Sequence, residues 1–227
     1  MIEAVLFDLF ETLVTERILP VRRAGSLAAE LGLDEAAYKR EWRLRRPQIV
    51  LGRTTFTDTL VQIGSRLGRA IDAEALKRLR AERIAEKVAV LGAVEPQILA
   101  AIAELRRHRL KLGLVTNSFA EDVAGWEQSP LSRFFDVTVF SCDVGRMKPD
   151  PAIYLEACKR LDVMPQQALF VGDGSDHELT GARAAGLTTA RALWFASRWS
   201  HTTAESGERG LSQIEQVLDV AAKGASA

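Results

Sequence analysis

The chain has 227 residues, and 30 Lys+Arg balance 30 Asp+Glu to a formal net charge of zero. Apolar residues at 47% and charged residues at 26% are ordinary for a globular protein with room for a core, and they exclude disordered, collagen-like and coiled-coil chains. A zero balance gives no overall argument for a nucleic acid or a membrane as partner.

The first element is an apolar run at 2–7 that reads as a strand. No basic segment precedes it and it stops at Asp8, so it does not read as a signal peptide. Residues 15–90 show no strand pattern and read as four helices near 21–31, 34–50, 57–67 and 72–91, with Asp34, Thr57 and Asp72 as N-caps. Pro96 opens the next helix, with Ile98, Ile102 and Leu105 on one face. Short apolar runs at 110–115, 137–140, 168–171 and 188–193 read as buried parallel strands. Between them, Asp150 and Pro151 start a helix that presents Ile153, Tyr154, Ala157 and Leu161, and 178–185 is a helix closed by Gly186. Residues 223–227 are expected to fray. The β-α-β alternation predicts an α/β fold, a doubly wound parallel sheet. An inserted all-helical cap interrupts it, giving a core of 1–14 with 91–227 and a cap of 15–90.

No apolar stretch approaches the roughly 18 residues that a membrane span needs. Cys142 and Cys158 are too few for a disulfide framework, lack metal spacing and read as buried, unreactive thiols. A cytoplasmic location is the expectation.

In a parallel sheet, ligands bind beyond the carboxyl ends of the strands. The residues there are polar: Asp8; Thr116, Asn117 and Ser118; Asp143, with Lys148 further on; and Asp173 with Asp176. Asp8 and Asp173 could hold a hard cation such as Mg2+ through oxygen ligands, and a carboxylate can also act as a covalent nucleophile. Thr116, Asn117 and Lys148 would donate to the oxygens of a transferring phosphoryl group.

These segments, Asp8-Leu9-Phe10-Glu11-Thr12, Thr116-Asn117, Lys148-Pro149-Asp150-Pro151 and Gly172-Asp173 through Glu178 to Gly186, resemble the four motifs of the haloacid dehalogenase (HAD) superfamily. Each is weak alone, but four in order over nearly the whole chain are specific. The helical insert resembles the C1-type cap of the phosphatase-and-dehalogenase subfamily. The resemblance implies Asp8 as nucleophile and metal ligand, with the Phe10 backbone carbonyl and Asp173 as further ligands. It implies Thr116 as phosphoryl binder, Lys148 as charge neutraliser, Glu178 or Asp176 behind the metal or Lys148, and Thr12 as support for the loop.

The phosphatase pattern calls for a second aspartate two residues after the nucleophile, as general acid and base, and here that residue is Phe10. A positioned acid is worth about 10²–10⁴-fold. The hydrolytic dehalogenases also lack it, but they resemble a metal-free Ser-Ser-Asn pattern where this chain has Asp173, Asp176 and Glu178. Crowding those carboxylates without a cation would raise their pKa values. The expected function is therefore Mg2+-dependent hydrolysis of a small phosphorylated metabolite, one with an easy leaving group or with Glu11 or His177 supplying the proton. The alternatives are metal-free carbon–halogen hydrolysis and a weakly active binding member of the family.

In the insert, Trp42, Arg46 and Arg53 are candidate substrate-binding residues, since Arg suits bidentate anion recognition. The competing reading is a solvated helix face with Trp42 packed inward. His108, His177 and His201 read as solvated, and Trp194 and Trp199 as packing or surface loop. Residues 15–90 hold 16 Lys+Arg and 10 Asp+Glu, a balance of +6 against −6 for the rest. That asymmetry fits an anionic small-molecule substrate between a basic cap and an acidic core, without nucleic acid or membrane, in a monomer or homodimer.

Overall fold

The computed structural model describes residues 1–19, 24–198 and 209–223. Trp199, His201 and the tail from 224 lie outside these, as do the first residues of the helix expected at 21–31.

Strand β1 (Ala4–Phe7) is followed by four helices: α1 (Ala24–Glu30), α2 (Glu35–Val50), α3 (Phe56–Arg66) and α4 (Ala73–Gly92). Next come α5 (Pro96–Arg107), β2 (Lys111–Thr116), α6 (Ala120–Val123), β3 (Val137–Phe140) and α7 (Ser141–Val144). The chain continues through α8 (Pro151–Leu161), β4 (Ala168–Gly172), α9 (Glu178–Ala184), β5 (Thr188–Ala192), β6 (Gly210–Leu211) and α10 (Gln216–Lys223). The six strands form one parallel sheet in the order β3-β2-β1-β4-β5-β6. The order reverses between β1 and β4, and the crevice at such a point is where open α/β sheets bind ligands.

Successive strand residues point to opposite faces. In β1, Val5 and Phe7 enter one apolar layer with α5 residues Ile98, Ile102 and Leu105. Ala4 and Leu6 enter the other, with α8 residues Ile153, Tyr154 and Ala157. Both faces of β1 and β4 are buried, which is why these strands read as continuous apolar runs.

Local chemistry sets the helix ends. Asp34, Asp72 and Asp150 each accept backbone N–H bonds from the first turn. The cap of α3 is Thr55, which accepts from the Asp58 N–H, whereas Thr57 lies inside the helix. The expected break between 90 and 91 falls within α4, whose Val90 and Leu91 already pack into the sheet layer.

The helical insert has its own apolar cluster, with Tyr38, Phe56, Leu60 and Leu79 at its centre. That cluster also takes in Phe119 and, half-buried, Met147, the residues flanking the loops that carry Asn117 and Lys148. At the end of α2, Gly52 sits at φ +66°, where a Cβ would come within 2.0 Å of the Cys142 carbonyl oxygen. Glycine is therefore required both for the backbone turn and for the approach of the insert to α7. No single helix among the described residues is long and apolar enough to cross a membrane.

Candidate active site

Asp8 follows β1, and its N–H donates to the Val171 carbonyl of β4 at 2.9 Å, so the ladder runs one residue past the strand and fixes Asp8 opposite Gly172, one residue before Asp173. The chain then folds back on itself. The Glu11 N–H donates to the Val14 carbonyl at 2.6 Å, and Glu11 takes a left-handed φ of 58°. Glu11 is occupied there: its carboxylate accepts from Thr15 Oγ1 at 3.1 Å and pairs with Arg17 at 3.4 Å. Thr12 is fully buried and its carbonyl accepts from Trp194 Nε1 at 2.8 Å, while its hydroxyl has no partner among the described residues.

Lys148 is 2% exposed, and its Nζ donates to Asp8 Oδ1 and Glu178 Oε2, each at 2.5 Å. Three neighbours place this bridge. Asn117 accepts the Lys148 N–H at 2.8 Å, and its amide donates to the Lys148 carbonyl at 3.0 Å and to Asp176 at 3.1 Å. The Asn117 side chain thus orients the Lys148 loop instead of reaching a phosphoryl group. Tyr154 donates its hydroxyl to the Glu178 carbonyl at 2.7 Å. A Cβ on Gly172 would lie 2.1 Å from Glu178 Oε1, so only glycine lets that carboxylate reach the sheet edge.

Asp8, Asp173 and Glu178 bring carboxylate oxygens within 4.8 Å of one another. Burial pushes the Glu178 carboxyl up to about 8; Lys148 opposes the shift, and Asp8 and Asp173 add to it. Asp8 is pushed up chiefly by burial as well, despite Lys148. Burial works against the Lys148 charge, but Asp8 and Glu178 outweigh it and hold the ammonium protonated. One ammonium beside three crowded carboxylates does not offset them, in keeping with the raised Asp8 and Glu178 carboxyls. An all-oxygen donor set of this kind suits a hard divalent cation.

A cavity of about 230 Å³ opens over these groups. Asp8, Phe10, Thr116, Asn117, Lys148 and Asp176 line it from the sheet side. Thr116 is the last residue of β2 and does not stand beyond it as the sequence reading had it. Of the three candidates in the insert, Arg46 lines the cavity and pairs with Asp176 at 3.7 Å. Trp42 does not line it: its ring stacks on Tyr38 and meets Phe56 and Phe119 edge-on, the inward packing weighed as the alternative. Arg53 is exposed and does not line it, nor does His177, which is exposed beside α9. The sequence reading missed Glu16, Arg83, Lys87 and Asp122 on the cavity wall. Cys142 and Cys158 fit the unreactive reading, since burial pushes each thiol up to about 11, although Cys142 is only half-buried.

The profile of the haloacid dehalogenase-like hydrolases matches residues 2–186. The chain is 31% identical over 201 residues to glyceraldehyde 3-phosphate phosphatase of Methanopyrus kandleri, spanning 84% of each chain. It is 33% identical over 120 residues to the pyrophosphatase PpaX of Bacillus cereus, or 52% of this chain and 55% of that one. Its fold is similar to a 2-haloacid dehalogenase from Pseudomonas syringae pv. Tomato, with a TM-score of 0.69 at 22% identity, covering 98% of this chain and 99% of the other.

Proposed function

Because the chain belongs to the haloacid dehalogenase-like hydrolases, we propose that it hydrolyses a small phosphorylated metabolite, with Asp8 as the nucleophile and a divalent cation as cofactor. The observation that carries this reading is the convergence of Asp8, Thr116 and Lys148 on one cavity, with Asp173 and Glu178 close to the Asp8 carboxylate. Two of its relatives are phosphatases by name, one of a triose phosphate and one of pyrophosphate.

Asp8 would attack phosphorus, forming an aspartyl-phosphate as the bond to the leaving group breaks. Lys148 would hold Asp8 in position and offset the charge on the phosphoryl oxygens, with Thr116 donating to one of them. Water would then cleave the aspartyl-phosphate and return the free carboxylate. A cation such as Mg2+, held by Asp8, Asp173 and the Phe10 carbonyl with Glu178 behind them, would supply Lewis-acid neutralisation of the phosphoryl charge. The insert would act as a cap over the cavity, excluding water from the covalent step.

Phe10 sets the substrate requirement, because no side chain at that position can protonate a departing alkoxide. The leaving group must depart unprotonated, as a carboxylate, a phosphate or an anomeric oxygen can. Phe10→Asp is expected to raise turnover of simple alkyl phosphates by about 10²-fold, the lower end of what a positioned acid contributes. Turnover of acetyl phosphate should change only a few-fold. Steady-state phosphate release on both substrates checks this, and wild type already matching the variant on alkyl phosphates would contradict it.

Carbon–halogen hydrolysis, with Asp8 attacking the halogen-bearing carbon, is the second reading and rests on Phe10. The crowded carboxylates Asp173 and Glu178 weigh against it. Phosphate release abolished by a chelator separates the proposal from halide release that survives one.

A further inference from the structure

Helix α4 sends three cations toward α6 and the loop after β1. Arg80 Nε donates to Glu121 at 2.9 Å, Arg83 donates to Asp122 at 2.5 Å, and Lys87 pairs with Glu16 and, at 3.8 Å, with Asp122. The first is a bridge outside the cavity, but Arg83 and Lys87 line the cavity itself.

Lys87 is 6% exposed, and its Nζ lies 4.4 Å from the centroid of the Phe10 ring. A buried ammonium over an aromatic face is stabilised by the ring quadrupole. Phe10 thus does more than leave out an acid: it seats a cation two residues from the nucleophile. An ammonium has three donors, and among the described residues Lys87 makes one hydrogen bond, to Glu16. Arg83 lies with its guanidinium carbon 4.6 Å from the Phe119 ring centroid and 5.2 Å from that of Phe56. Its Nε is buried and has no hydrogen-bond partner among the described residues. Glu16 and Asp122 also line the cavity and orient the two cations. A bridge between insert and core would not need the spare ammonium donors of Lys87, which fit a ligand oxygen.

We infer that Lys87, with Arg83 beside it, binds an anionic leaving group, so that the substrate is a phosphoryl group joined to a second anion: an acyl phosphate or a phosphoanhydride. The inference rests on the phosphoryl-transfer reading above. In the first step the Asp8 oxygen bonds to phosphorus and the bond from phosphorus to the leaving oxygen breaks. The electron pair departs on that oxygen, which leaves as a carboxylate or phosphate anion, takes no proton and is met by the Lys87 ammonium. In the second step water attacks phosphorus, the bond to Asp8 breaks, and the water oxygen and its protons leave as dihydrogen phosphate. Lys87 keeps its proton throughout.

Calorimetric titration of the Mg2+-loaded protein, at fixed free Mg2+, tests this with three non-hydrolysable probes. Methylphosphonate carries the phosphoryl mimic alone, phosphonoacetate adds a carboxylate, and methylenediphosphonate adds a second phosphonate. Wild type should bind at least one of the last two 10-fold or more tighter than methylphosphonate. Lys87→Met should abolish that advantage while leaving methylphosphonate affinity within two-fold, and Lys87→Arg should restore most of it. A gain confined to phosphonoacetate assigns an acyl phosphate, and one confined to methylenediphosphonate a phosphoanhydride. Equal affinity for all three probes in wild type overturns the inference whether or not the variants fold. So does a Lys87→Met loss shared equally by all three, which a merely structural lysine would give. If methylphosphonate itself does not bind wild type, the phosphoryl-transfer reading falls and takes this inference with it.

Discussion

Asp8→Asn is expected to lower turnover by at least about 10⁴-fold, the order of loss seen when a covalent nucleophile is removed. The fold should survive the change. The amide is isosteric, Lys148 keeps its second carboxylate in Glu178, and one of three crowded carboxylates is neutralised. Single-turnover kinetics should show no phosphorylated protein in the variant, and a thermal melt should show a cooperative transition close to that of wild type. Loss of activity without loss of fold is the signature of a nucleophile. Turnover within ten-fold of wild type would remove Asp8 from the chemistry.

Lys148→Met should have the largest effect on stability. It takes the buried cation away from Asp8 and Glu178, which are 4% and 0% exposed, and leaves their charges uncompensated. Removing one partner of a buried pair costs about 3–5 kcal/mol. At roughly 2–4 °C per kcal/mol for a chain of this size, the transition should fall by about 10 °C. Activity should be lost as well, because the same ammonium holds the nucleophile. Differential scanning calorimetry checks the first effect. An unchanged transition would mean that the two carboxylates are not charged partners of Lys148 in the folded protein.

The sheet and the residues at its carboxyl edge were legible because each depends on local pattern. A strand buried on both faces is a short apolar run, and the first polar residue after it marks the edge, as Asp8 does after Phe7. The caps Asp34, Asp72 and Asp150 were legible for the same reason. Thr57 was not distinguishable from Thr55, since the two hydroxyls are two residues apart and only the backbone geometry selects the one that caps α3. β6 has two residues, too few for any periodicity, and α10 was missed although Val217, Val220 and Ala221 pack into the sheet layer.

Apart from Arg46, the wall of the cavity on the insert side was not legible. Lys87 meets Glu16 across 71 residues and Arg83 meets Asp122 across 39, and no spacing rule links residues so far apart. Trp42 shows the converse: an aromatic among arginines on a helix invites a binding role, yet its ring fills the gap between Tyr38, Phe56 and Phe119. Asn117 stands with Thr116 at the carboxyl end of β2, a place that suggests a donor to the ligand. Its amide is committed to the Lys148 backbone, a fact that depends on how the loops after β2 and β3 meet.

The net charge of zero conceals a pairing at the cavity. The carboxylates Asp8, Glu16, Asp122 and Asp176 on its wall are matched by Arg46, Arg83, Lys87 and Lys148. Asp173 and Glu178 then add two further carboxylates beside Asp8. A phosphoryl dianion entering such a site would meet this surplus of carboxylates, which is the physical argument for the proposed divalent cation. A crystal grown with Mg2+ and beryllofluoride tests that claim most directly. The account predicts a trifluoroberyllate group on the Asp8 carboxylate with a metal ion between it and Asp173. Beryllofluoride-free, metal-free density around Asp8 at saturating concentrations of both would contradict it.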